Sequence, residues 1–183
     1  MLELLKSMLT PVQLIGYAGM ACAFLSFQCK KNRNFFICQT LCGLFFALQF
    51  ALLGGWSGFL SNLFAILRGV AFALGPRFHK RPVLVGIESA FSLALVLSLT
   101  VFHEPLWVAV LLFIAQAGGT WAMWTGDGKK IRLFQFCVAS PIWLVHNSIY
   151  AFSLGGILCE SFNMMSVVIS FVRFRKTGFE KQT

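Results

Sequence analysis

Residues 141–163 read PIWLVHNSIYAFSLGGILCESFN, and Trp143, His146, Asn147, Glu160 and Asn163 are the side chains there that could do chemistry. An imidazole and a carboxylate could exchange a proton, and an indole beside amides could hold a flat polar solute. Acid–base catalysis would need His146 and Glu160 within hydrogen-bond reach, about 3 Å, directly or through one water. No metal-ligand cluster, nucleophile elbow or phosphate-binding loop accompanies them. The expectation is therefore a binding site rather than an enzyme, with no catalytic residue, metal or cofactor.

The setting of these residues is apolar. The chain has 183 residues, 58% hydrophobic and 11% charged, with 21 Phe, whereas soluble domains carry about 25% charged residues. Apolar runs cover approximately 11–28, 35–53, 56–75, 83–102, 106–124, 133–153 and 156–172, each close to the roughly 20 residues that cross a bilayer. Backbone groups in lipid must be satisfied within the segment, so each run is expected to be a helix. The fold class is an all-α integral membrane protein with seven transmembrane helices. Lys6 precedes the first run, but Glu3 lies beside it and charged residues follow the run directly, so it reads as an uncleaved span rather than a signal peptide.

Seven spans place alternate loops on one side, which makes the charge distribution a test. Of 15 lysines and arginines, all but Lys6 and Arg68 then fall on a single side. The positive-inside rule makes that side cytoplasmic, with the N-terminus outside and the C-terminus in the cytoplasm. The net charge of +9 thus follows from topology, and no nucleic-acid partner is expected. The basic tail, FVRFRKTGFEKQT, is suited to anionic membrane lipid. The six cysteines lack a C-x-x-C pair or zinc-like spacing and read as small packing residues.

The chain also repeats itself. Spans one to three and five to seven each have a basic loop after the first helix and a Gly-containing turn after the second. A shift of about 97 residues puts Phe46 on Trp143 and Gln49 on His146, and a slightly larger one puts Asn62 on Asn163. The fourth span is left as a linker, and one crossing makes the triplets parallel repeats. The expected organisation is a first three-helix bundle over 1–78, a linker helix over 79–104, a second bundle over 105–176 and a tail over 177–183.

A 3+1+3 arrangement resembles the SWEET and PQ-loop transporters. More specifically, W-L-V-H-N with a following Gly-Gly turn, then Glu160, Asn163 and Arg173, resembles the YgjV-like bacterial inner-membrane proteins, as do S-F-Q-x-K-x-x-R-N and G-x-x-S-N-x-x-x-x-x-R ending at Arg68. The SWEET likeness implies a solute site between the bundles, lined by Asn62, Asn163, Trp143 and Phe46, with Pro141 as a hinge. This sequence departs from that pattern in having Gly43 rather than proline in the second span and no PQ dipeptide.

Ionisable groups and amides inside a membrane are costly unless they face protein or water. At about 1.5 Å per residue, His146 lies roughly 20 Å from the cytoplasmic end of its helix, and Asn163 and Asn62 about 10 Å from the outer ends of theirs. With Gln49 they can form one polar layer. Trp143, one turn before His146, is expected on the same face, and Asn147 about 100° away. His146 would bind solute or carry a proton. Glu160, near the outer boundary, would gate or accept a proton. Arg68 and Glu88 are expected to form a structural ion pair between the first bundle and the linker. The alternative for the amides is interhelical glue. The function expected is transport of a sugar or a small vitamin- or nucleoside-like solute by alternating access, with proton coupling open. The alternative is a non-transporting scaffold that binds a partner or lipid, and seven such helices can work as a monomer.

Overall fold

The computed structural model describes residues 10–179; Glu3, Lys6 and Lys181, used in the readings above, lie outside them. The described chain is helical, with no strand among the described residues. The helices are α1 (Pro11–Gln28), α2 (Asn32–Leu53), α3 (Trp56–Ala73), α4 (Arg81–Thr100), α5 (Leu106–Trp124), α6 (128–150) and α7 (Leu154–Arg173). Their starts are local. Thr10 accepts from Gln13 N at 3.4 Å, Asp127 Oδ1 from Lys129 N and Lys130 N at 2.9 and 3.3 Å, and Ser153 Oγ from Gly156 N at 3.0 Å. Each oxygen satisfies orphan donors of a first turn. The Asp127 cap starts α6 about a turn earlier than the apolar run suggests, so Lys129, Lys130 and Arg132 lie on the helix rather than in a loop. Gly54, in the left-handed region at φ 74°, makes the tight turn between α2 and α3.

Five helices, α2, α3, α4, α5 and α7, are long and apolar enough to cross a membrane. The remaining two are less simple. α1 is 18 residues long and carries glutamines at both ends, while α6 contains two π turns, Gln135–Ala139 and His146–Tyr150. Pro141 stands two residues past the last residue of the first π turn; it has no N–H to give the regular ladder, which suits a displaced bonding pattern there.

Helices pack on their neighbours in the chain, and α1 also packs closely on α7 and α3 on α5. The pairings run round a ring, α1–α2–α3–α5–α6–α7, rather than dividing by themselves into two compact bundles. α4 lies outside the ring against α3 and α5, and buries only Phe91, Ala94 and Ser98. Close approach at the α1–α7 seam depends on glycine: a Cβ on Gly155 would stand 3.2 Å from Gly16 Cα.

The two ends of the ring differ. At one end Asn32 Nδ2 donates to Gly126 O at 2.7 Å, His79 Nδ1 meets Trp124 O at 3.0 Å, and Arg132 Nη2 donates to Phe27 O and Cys29 O at 2.9 Å each. These bonds gather the basic turns after α1, α3 and α5 together. At the other end Glu104 Oε1 accepts from Ser57 N at 2.9 Å, and Trp107 meets Tyr150 edge-on. The separation of basic turns from turns without Lys or Arg, expected from the sequence, is therefore a property of the fold. At the basic end the ring is filled by Phe27, Phe35, Phe36, Phe72, Met123, Ile131 and Val167, contributed by all six ring helices. Its outer surface carries exposed Leu, Val and Ile, the inside-out distribution of a lipid-facing wall.

Candidate functional site

A cavity of about 800 Å³ of unfilled space, counting its opening, lies inside the ring and is lined by α2, α3, α5, α6 and α7. Phe46, Asn62, Trp143, Glu160 and Asn163 line it, as the sequence suggested, and so does Arg68. Phe50 stacks on Trp143 at 6.0 Å with 25° between planes, so part of the indole face is covered by protein. Asn62 Nδ2 donates to Gly58 O of its own helix at 2.8 Å, which leaves its carbonyl oxygen for other partners.

Glu160 is the centre of the polar wall. Oε2 accepts from Ser140 Oγ at 2.6 Å, Gln135 Nε2 at 3.2 Å and Asn163 Nδ2 at 3.3 Å. All three bonds land on one oxygen, and among the described residues Oε1 receives none. The expectation of a hydrated carboxylate at the outer boundary is corrected: Glu160 is buried, beside the middle of α6. Asn163 Oδ1 is buried without a hydrogen-bond partner.

Three further placements differ from expectation. His146 does not line the cavity. It is buried in a ring cluster with Phe50 at 5.6 Å, Trp143 at 5.3 Å and Tyr150 at 5.7 Å, with Nδ1 3.4 Å from Asn147 Oδ1. Asn147 lines the cavity in its place. The cause is the winding of α6. Its cavity face is Gln135, Ala139, Trp143 and Asn147, a spacing of four. At 3.6 residues per turn the first and last of these would point about 120° apart; the π turns take up that drift.

Gln49 is likewise absent from the cavity wall. It is fully buried at the opposite end, with Nε2 donating to Gln13 Oε1 and Oε1 accepting from Ser153 Oγ, both at 3.3 Å. Gln13 Oε1 also accepts from Gly155 N at 3.1 Å. Gln49 therefore bonds α1, α2 and the start of α7 together, which is the glue alternative.

The Arg68–Glu88 ion pair does not form among the described residues. Arg68 turns to α5, where Nη1 donates to Gln116 O at 3.0 Å and Thr120 Oγ1 at 3.1 Å, and its guanidinium lies 5.4 Å from the Phe91 ring centre. Helix α4 brings an aromatic face into contact with it, and its Glu88 carboxylate acts on it from beyond ion-pair distance. Pro141 is exposed on the outside of α6; any hinge there acts through the neighbouring π turn. A hydrogen bond between His146 and Glu160, required for paired acid–base work, is not made among the described residues.

Sequence reasoning passed over Gln135, Ser140 and Arg132. Gln135 follows the four-residue spacing only once the π turns are known, and Ser140, next to Ala139, bonds Gln135 and Glu160 from beside that face. Arg132 was counted as a topological charge, yet it is 1% exposed. Beyond the two α1 carbonyls it bonds Gly128 O and Ser170 Oγ, and it lies 4.5 Å from the Phe179 ring centre. One side chain thus holds α1, α6 and α7 at the basic end.

Among known proteins, the pattern of one family, described as bacterial inner membrane protein (Imp-YgjV), matches residues 11–178. No curated protein and no solved structure matches the chain. The chain belongs to the Imp-YgjV family and is a multi-pass protein of the bacterial inner membrane.

Proposed function

We propose that this Imp-YgjV protein moves a small polar solute across the inner membrane by exposing its cavity alternately to the two sides. The supporting observation is the cavity itself. Amides and two charged side chains from five helices converge on a partly open cavity inside the ring, where burial in a lipid-spanning protein is costly without a use. In this reading all seven helices cross, with the N-terminus outside and the basic end in the cytoplasm. α1–α3 rock against α5–α7 with α4 as the tether, and the aromatic filling at the basic end closes the cavity on the cytoplasmic side. Phe46 and Trp143 form the aromatic wall, Asn62, Asn147 and Asn163 hydrogen-bond the solute, and Glu160 takes the gating or proton-carrying role open to His146 in the sequence.

The test is a ligand-stabilisation screen of detergent-purified protein, followed by uptake into proteoliposomes. A solute that raises the melting temperature of the parent but not of folded Asn62→Ala and Asn163→Ala variants, and that is taken up, supports transport. If nothing in the screen binds and both variants melt early, the polar wall is structural and the protein is a scaffold.

A further inference from the structure

We infer that the solute this cavity accepts is a zwitterion, with its carboxylate on Arg68 and its ammonium on Glu160. The inference rests on the transport reading and adds the chemical class to it. Among the described residues, the charged side chains lining the cavity are one cation and one anion, Arg68 on α3 and Glu160 on α7. Neither has a counter-ion in the cavity wall, and the charge that acts on Arg68, Glu88 of α4, stands beyond ion-pair distance. Arg68 spends Nη1 on two neutral oxygens of α5, while Nε is buried with no hydrogen-bond partner. The Nε–Nη2 edge left over is one that binds a carboxylate through two parallel hydrogen bonds. Glu88, half-buried on α4, is not part of the cavity wall and makes no ion pair with Arg68 among the described residues.

The anionic side is built in a complementary way. Three neutral donors fix Glu160 through Oε2 without neutralising it. Oε1 and the unpartnered Asn163 Oδ1 are both acceptors, one turn apart on the same helix face. That is the coordination an ammonium group wants. A short chain of side-chain neighbours leads from one charge to the other. Arg68 Nη1 would be 3.5 Å from a Cβ on Gly119 and the Phe134 ring 3.7 Å from it, and the next residue, Gln135, holds Glu160.

Burial of a charge without a partner is expensive. Sugars and nucleosides would leave Glu160 without a cation and Arg68 with only the more distant Glu88, and a simple anion or cation would satisfy only one. A solute carrying both groups neutralises both and brings no net charge into the membrane. Phe46 and Trp143 are placed for its apolar remainder.

The test uses the purified full chain and thermal unfolding. The panel is the common L-amino acids and betaine, the decarboxylated amine and deaminated acid of each amino acid, and a set of sugars and nucleosides. The expected result is that one or more amino acids raise the melting temperature, while the matching amine and acid need roughly 30-fold higher concentrations or more, as loss of one buried charged partner implies. Glu160→Gln keeps an oxygen toward Ser140. It is expected to abolish the advantage of the amino acid over its acid half, and Arg68→Lys to weaken acid and amino acid alike. A merely structural role would lower the melting temperature of both variants and leave the ligand ratios unchanged, which overturns the inference. Stabilisation by a sugar or nucleoside instead overturns the zwitterion while keeping transport. A zwitterion that binds but is not taken up by proteoliposomes keeps the site and overturns transport, and binding by no member of the panel overturns both.

Discussion

At the scale of single residues, neighbouring side chains on one helix have opposite fates. His146 is packed among rings and Asn147 faces the cavity. His146→Phe is therefore expected to preserve solute stabilisation, and Asn147→Leu to abolish it, as read by thermal shift with any ligand the screen supplies. Arg132 is the other residue with a sharp expectation. Its side chain makes four hydrogen bonds, one from Nε, one from Nη1 and two from Nη2. Bonds to a charged group are each worth about 1.5–3 kcal/mol, and their removal leaves buried carbonyls unsatisfied. Arg132→Ala should destabilise by at least about 3 kcal/mol, measured by detergent denaturation. The residue types of the cavity were legible in the sequence because amides and charges stand out in apolar runs. Which of two adjacent residues faced inward was not, because that depends on helix phase.

At the scale of elements, the apolar runs located the helices well, since lipid leaves the backbone no other way to satisfy its hydrogen bonds. Two things stayed hidden. Polar caps lengthen helices into regions that read as loops, as Asp127 does for α6, and π turns change the winding without changing the apolar pattern. Pro141 stands two residues past the end of the first π turn. Pro141→Ala restores an N–H and allows a regular ladder, so its melting temperature is expected to hold or rise while uptake falls. Helix contact depends on small residues as well. A Cβ on Gly156 would stand 2.5 Å from the Asn147 side chain, so Gly156→Ala should cost about 1–3 kcal/mol by overpacking and weaken ligand stabilisation together with stability.

At the scale of the whole molecule, the grouping of basic turns at one end is independent of any membrane, because hydrogen bonds between those turns fix it. In the proposed reading the positive-inside rule places that end in the cytoplasm. A C-terminal green fluorescent protein fusion should fluoresce, and an alkaline phosphatase fusion at the same point should be inactive; the reverse result would invert the orientation. The 97-residue shift read in the sequence pairs Phe46 with Trp143 and Gln49 with His146. Phe46 and Trp143 both line the wall, while Gln49 and His146 both sit off it. The repeat did not reveal that the pairings close into a ring, because the α1–α7 seam joins residues far apart in the chain.

That seam has a consequence for how the protein is made. α1 is the first of the described helices to leave the ribosome and α7 the last, yet Gln28 Nε2 donates to Ser166 O at 3.0 Å and to its Oγ at 2.8 Å, and Ser166 Oγ donates to Phe24 O at 2.9 Å. Until synthesis reaches α7, these groups on the earliest helix lack their α7 partners, and α1 is not among the helices that are long and apolar enough to cross a membrane by composition alone. Biogenesis must therefore carry an unfinished wall open to the bilayer for nearly the whole of translation. The final helix completes it.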